Sequence, residues 1–103
     1  MRKLTECKIN GLSWKVELTP RGSEELKNDD GRDCFGTSHC GAQKIYLDET
    51  LPKDLMRQTL FHELAHAYMF SYGYHINDEE AICDFIGSNI EKIYHQGEQI
   101  MCG

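Results

Sequence analysis

The sequence predicts an α+β fold, in which a small N-terminal antiparallel sheet precedes two helices. Before Asp48, short runs alternate between apolar and polar residues, as half-buried strands do. After Pro52, two longer stretches repeat apolar residues at helical spacing, and turn residues separate all of these segments. A chain of 103 residues suffices for one modest core, so we expect residues 1–103 to form a single domain.

Two strands are expected at the start of the chain, TECKI and SWKVEL, joined by a turn at Asn10 and Gly11. Both turn residues accept the positive φ angles that a tight hairpin requires. A third strand, QKIYLD, is expected at residues 43–48, with Ile45 and Leu47 on one face. The segments TPRGSEELKNDDGRD and CFGTSHCGA are rich in turn residues and are expected to be loops, with one helical turn at SEEL.

The first helix is expected to begin after Pro52 and to end at Gly73, because proline favours helix starts and glycine favours helix ends. Asn77 or Asp78 is expected to cap a second helix that runs to about His95 and is followed by a frayed tail. Its predicted apolar stripe consists of Ile82, Ile86, Ile90 and Ile93.

Composition excludes several classes of function. The net charge of -6 and the lack of a basic stripe argue against nucleic acid as a partner. No run approaches the ~20 apolar residues that cross a bilayer, and the first residues lack the apolar core of a secretory signal. We therefore expect a cytoplasmic protein without a membrane partner. An odd number of cysteines favours reduced thiols over a disulfide scaffold: Cys7, Cys34, Cys40, Cys83 and Cys102.

The first helix contains the motif HELAH, residues 62–66, which predicts a metal site. His62 and His66 are four residues apart and therefore share one helix face, where both imidazoles can bind one ion. Glu63 lies about 100° further around the helix, beside the metal, where a general base would act on an activated water. A chance match to so short a pattern is the alternative interpretation.

A catalytic zinc needs a third protein ligand, and the second helix offers three acidic candidates. Glu80 and Asp84 are four residues apart and share one helix face, so Glu80 can bind the metal while Asp84 accepts the outward N–H of a ligating histidine. Glu79 and Glu80 can instead simply favour the start of the helix through its dipole. The spacing alone leaves Glu79, Glu80 and Asp84 open as the third ligand.

QKIYLD, TLFHELAHAY and EEAICDF, in this order, resemble the small gluzincin-type zinc metallopeptidase domains of the ImmA/IrrE kind, especially the short forms from phages and mobile elements. The resemblance extends from about Trp14 to Ile93. It implies a minimal zincin-like fold in which His62, His66 and Glu80 bind Zn²⁺ and Glu63 is the general base. It also implies that the strand at 43–48 is a sheet edge on which an extended peptide lies.

We therefore expect a zinc metallopeptidase that hydrolyses peptide bonds of a protein or peptide substrate through a zinc-activated water. Tyr74 and His75 are the nearest candidates for an oxyanion partner. The main alternative is a regulatory or interaction module that keeps the fold and the zinc without catalysis. A nucleic-acid-binding zinc protein fits the acidic charge poorly, and Cys34, His39 and Cys40 have poor spacing for a second metal site.

Overall fold

Four strands and two helices follow one another along the described part of the chain, as the α+β prediction requires. The computed structural model describes the backbone of residues 2–74 and 79–102 and the side chains of residues 5–74, 85 and 89–102. A single 3₁₀ turn at Glu24–Leu26 corresponds to the predicted helical turn at SEEL. The elements are β1 (Arg2–Ile9), β2 (Leu12–Thr19), β3 (Gly36–His39), β4 (Lys44–Asp48), α1 (Lys53–Tyr72) and α2 (Glu79–Cys102).

The strands form one sheet in the order β1-β2-β4-β3. β1 and β2 are an antiparallel hairpin whose turn residues Asn10 and Gly11 have φ angles of 51° and 81°, as the hairpin prediction requires. β3 and β4 are also antiparallel, but β2 and β4 run parallel. The prediction of a wholly antiparallel sheet is therefore wrong, and the sheet is mixed. β4 lies between β2 and β3, and it runs parallel to β2.

The segment that was expected to be a loop after Cys34 contains β3, and this corrects the position of the sheet edge. β4 has a neighbour on each side, so residues 43–48 are not an edge; the two edge strands are β1 and β3, and β3 is the one paired with β4. Consecutive residues of β4 are buried, which is typical of a central strand covered on both faces. The short, polar sequence GTSH has no apolar alternation, so only its pairing with β4 reveals it as a strand.

The core lies between one face of the sheet and the two helices. Trp14 is fully buried, and its indole Nε1 donates a hydrogen bond to Ser71 Oγ of α1 at 3.0 Å. This bond satisfies the polar atom of the largest core side chain. The apolar side chains buried in this core include Val16, Leu18, Ile45, Leu47, Leu60, Leu64, Ala67 and Ile93.

The ends of α1 agree with the sequence prediction. Pro52 precedes the first helical residue, where its missing N–H costs no intrahelical bond. Gly73 ends the helix in the left-handed conformation with φ of 74°, and its N–H points to the carbonyl oxygens of Met69 and Phe70. The helix that contains HELAH is therefore anchored at both ends by local sequence signals.

The second helix is longer than predicted, and one of the two described isoleucines of its predicted apolar stripe is exposed. It continues to Cys102, past His95, because Ile100 is buried against the core and holds the last turns. Ile90, which was expected in the apolar stripe, is 56% exposed, whereas Phe85, Asn89 and Ile93 are buried. The side chains of Ile82, Ile86 and Cys83 and the predicted caps Asn77 and Asp78 lie outside the described residues.

A glycine lets α2 approach α1 closely. The Cβ atom of any other residue at Gly97 would overlap the ring of Phe61, which stacks on Tyr94 with a centroid separation of 6.0 Å. Near the other end of the helix pair, the ring of Tyr74 packs edge-on against Phe85 at 5.2 Å. Within the described chain, neither helix is long and apolar enough to cross a bilayer.

Candidate functional site

The two histidines of HELAH meet on the exposed face of α1. His62 Nε2 and His66 Nε2 are 3.2 Å apart, and the rings cross at 74° with a centroid separation of 4.9 Å. Two imidazoles that bind one tetrahedral zinc at ~2.0–2.1 Å have their nitrogen atoms about 3.3 Å apart. The pair is therefore spaced as two ligands of one ion. Two neutral imidazoles that share a hydrogen bond have a similar spacing, so a third ligand is what distinguishes a metal site.

The predicted third ligand belongs to α2, in a part of the helix where side chains are not described. Glu79, Glu80 and Asp84 belong to the first turns of α2, and their side chains lie outside the described residues. Among the residues that the structure describes, no group of three histidine, cysteine, aspartate or glutamate side chains could hold a metal ion. Glu80 as the third ligand therefore stays a prediction, as do its alternatives.

The side chain of Glu63 is buried between α1 and β3. Its side chain is only 6% exposed, although the two neighbouring histidines are exposed. Ser38 Oγ of β3 donates a hydrogen bond of 2.7 Å to Glu63 Oε1 and also lies 3.1 Å from the main-chain oxygen of Glu63. Burial of a carboxylate requires such a partner, because an unpaired charge is costly away from water.

A cleft of about 410 Å³ lies along β3 and exposes Glu63 and His66 to the same space. The general-base candidate and one histidine of the pair therefore share a solvent-accessible cavity large enough for a short peptide segment. Lys27, Asn28 and Asp29 of the loop before β3 form part of its rim. The remaining lining residues are Cys34, Gly36, Thr37, Ser38, His39 and Cys40.

Cys40 is a neutral thiol beside this cleft. Its burial raises the pKa of the thiol above the ordinary value, and the nearby charge of Glu63 raises this pKa further. A thiol whose pKa is raised is protonated at neutral pH and is a poor nucleophile and a poor metal ligand. Cys40 is therefore a weaker nucleophile than an ordinary cysteine thiol.

The sequence interpretation missed Ser38 and Gly36, because both lie in the segment assigned to a loop. Gly36 and Ser38 pair with Leu47 and Ile45 of β4, whose side chains face the helices. Because side chains alternate between the two faces of a strand, Gly36 and Ser38 lie on the same face of β3, and this face meets Glu63. A recognisable signal was the alternation of small residues in G-T-S-H-C, which permits a close approach between a strand and a helix.

Two other predicted groups have different partners. His39 Nε2 lies 2.9 Å from the main-chain oxygen of Glu25 and 3.2 Å from Thr37 Oγ1, so the ring is hydrogen-bonded on the far side of β3 from Glu63. Tyr74 packs into the edge of the core, and His75 lies outside the described residues. Neither observation assigns an oxyanion partner.

Substitution of Gly36 by alanine is expected to destabilise the contact between β3 and α1. The new Cβ would lie 2.7 Å from Thr59 Cγ2, 3.1 Å from Leu47 Cδ2 and 3.2 Å from Glu63 Cγ, so all three groups must shift. Overpacking of this kind lowers the free energy of unfolding by about 1–3 kcal/mol. Urea unfolding would measure this loss.

Gly41→Ala is the matched control, because a Cβ at Gly41 has no neighbour within 4 Å. We expect the free energy of unfolding of this variant to stay within about 0.5 kcal/mol of the wild type. Equal losses in the two variants would show that the contact at Gly36 is not tight.

The chain matches one known protein family. Neither the curated proteins nor the solved structures gave a match. The family described as the IrrE N-terminal-like domain, peptidase family M78, matches residues 22–91, which include β3, β4, α1 and much of α2. This match spans more than half of the chain and contains the histidine pair, Glu63 and Ser38. The chain therefore belongs to the IrrE N-terminal-like family, whose domains are of the metallopeptidase type.

Proposed function

We propose that the protein is a zinc-dependent metallopeptidase that hydrolyses peptide bonds of a protein or peptide substrate. The observation that carries this proposal is the position of Glu63, a buried carboxylate that opens into the same cleft as His66. A metal site that only stabilises the fold has no use for such an acid. Membership of the IrrE N-terminal-like family supports the same class of activity.

The donor set suits zinc. His62, His66 and Glu80 would hold the ion, since two imidazoles and one carboxylate leave one position of a tetrahedral zinc open. When bound, such an ion acts as a Lewis acid that polarises a carbonyl group and lowers the pKa of water. The 3.2 Å separation of the two Nε2 atoms supports the assignment of the histidines.

Glu63 would move the proton during hydrolysis. Its carboxylate would take a proton from the attacking water and pass it to the amine that leaves when the peptide bond breaks. The position of this carboxylate is restricted on two sides, by the hydroxyl of Ser38 and by the close approach of Gly36. Such restriction keeps the base near the position at which the proton is transferred.

The free edge of β3 would hold the substrate. The N–H of Asp48 donates a hydrogen bond of 2.9 Å to the carbonyl oxygen of Phe35. These two residues are therefore a hydrogen-bonded pair of the antiparallel ladder between β3 and β4. Because such pairs alternate along antiparallel strands, the main-chain groups of Gly36 and Ser38 point away from β4. An extended peptide added to this edge would form main-chain hydrogen bonds next to Glu63, with little demand on its sequence.

A library of peptides derived from a whole proteome would test the proposed function. The purified protein is incubated with the library after zinc loading and, separately, after treatment with a chelator, and new termini are identified by mass spectrometry. We expect cleavage only in the zinc-loaded sample. A protein that binds zinc at one equivalent but produces no new termini would be a binding module and not a peptidase.

A further inference from the structure

Ser38 combines two features that no other described residue of the candidate site shares. Its side chain donates the 2.7 Å hydrogen bond to Glu63 Oε1, and its main chain belongs to the free edge of the sheet. Among the described residues, Ser38 is the one side chain that hydrogen-bonds the carboxylate of Glu63. Within the described part of the chain, the hydroxyl group of Ser38 is therefore the group that orients this carboxylate.

The geometry around Glu63 explains why one hydroxyl is sufficient. Glu63 comes from the buried face of α1, and its Cγ lies within 3.2 Å of the position that a Cβ at Gly36 would occupy. The Cβ and Cγ atoms of Glu63 are therefore confined, and the side chain can still rotate about its terminal torsion, χ3. Terminal torsions between sp³ and sp² carbons have broad energy minima, so a hydrogen bond decides their value.

We propose that Ser38 is a positioning residue that aims the carboxylate of Glu63 at a peptide bound along β3. This inference rests on the proposed function. The same residue would receive the substrate through its main chain and orient the base through its side chain. A shift of β3 would then move the substrate and the base together, which preserves their relative geometry.

Kinetic analysis of Ser38→Ala tests the proposal, with a peptide identified in the cleavage library as substrate. We expect kcat to fall about tenfold, because a misdirected base loses part of its contribution. KM should change less than about twofold, since alanine keeps the main-chain groups that would bind the peptide. Ser38→Thr retains a hydroxyl group and should restore most of kcat.

Thr50→Ala is the matched control. Thr50 Oγ1 donates a 2.7 Å hydrogen bond to Asp48 Oδ1, so this variant also removes a hydroxyl from a buried carboxylate, but away from the cleft. The two alanine variants should lose similar thermal stability, and only Ser38→Ala should lose kcat. An unchanged kcat in Ser38→Ala, or an equal loss in both variants, would overturn the proposal.

Crystal structures of the wild type and of Ser38→Ala separate this inference from the proposed function. If the wild type binds zinc but cleaves nothing, the peptidase assignment fails. The role of Ser38 can still be tested, by comparing the position of the Glu63 carboxylate in the two crystal structures. A carboxylate that rotates away or loses order in Ser38→Ala supports the positioning role. A carboxylate that stays in place refutes it, whether or not the protein is a peptidase.

Discussion

Glu63→Gln is expected to abolish peptide hydrolysis while zinc stays bound at the wild-type level. The amide matches the carboxylate in size and can still accept the hydrogen bond from Ser38, so the cleft should keep its shape. It cannot accept a proton from water, and general-base catalysis contributes about 10²–10⁴-fold to rates. We expect kcat to fall by at least about 10³-fold, with KM little changed.

The measurement combines initial rates on a cleaved peptide with elemental analysis of the same samples. Glu49→Gln is the matched control, since Glu49 is an exposed acid in the turn between β4 and α1 and does not line the cleft. It should keep wild-type rates. A Glu63→Gln variant that cleaves at the wild-type rate would eliminate Glu63 as the base, and a variant that loses zinc as well would give this residue a structural role.

His66→Ala is expected to reduce bound zinc from about one equivalent per chain to a small fraction of this. Removal of one of three protein ligands leaves too few donors for a stable site. The wild type should also unfold at a higher temperature with zinc than after chelation, because a ligand at 100 times its Kd stabilises the folded state by about 2.7 kcal/mol. This difference should vanish in His66→Ala. If His66→Ala retained zinc, the histidine pair would not be the metal site, and it would be only a hydrogen-bonded pair on the surface.

The same measurements identify the third ligand. Glu80→Gln should lose zinc as His66→Ala does, whereas Glu79→Gln should retain it. Asp84→Asn should keep the metal with weaker affinity if Asp84 orients a ligating histidine, since such partners contribute about 10–100-fold. His95→Ala, which alters an exposed histidine of α2, is the control. Zinc lost only in Glu79→Gln or in Asp84→Asn would reassign the ligand to that position.

Local signals in the sequence were sufficient for the hairpin, the first helix and the histidine pair. Asn10 and Gly11 accept positive φ, and Pro52 and Gly73 suit the two ends of a helix, so these boundaries depend on a few neighbouring residues. Helix geometry alone brings positions four residues apart onto one face, which is why His62 and His66 meet as expected.

Non-local contacts decided the sheet order and the packing of α2. β3 exists as a strand because it pairs with β4, and the polar sequence GTSH lacks the alternation of apolar and polar residues that predicts a strand. The extent and orientation of α2 follow from Ile100 and Gly97, which meet the core and the ring of Phe61. Neither partner is near in the sequence, so the helical period of the isoleucines predicted the burial of Ile93 correctly but wrongly included Ile90.

By itself, the sequence determined the chemistry of the site: two imidazoles on one helix face and an acid beside them. Only the tertiary structure decided what the acid contacts, because a β-strand and a helix 25 residues apart must pack before Ser38 reaches Glu63. It also moved the free sheet edge from residues 43–48 to Gly36–His39. Ligand spacing within a helix is set by local geometry, whereas strand order and cleft walls arise from burial of apolar surface across the whole chain.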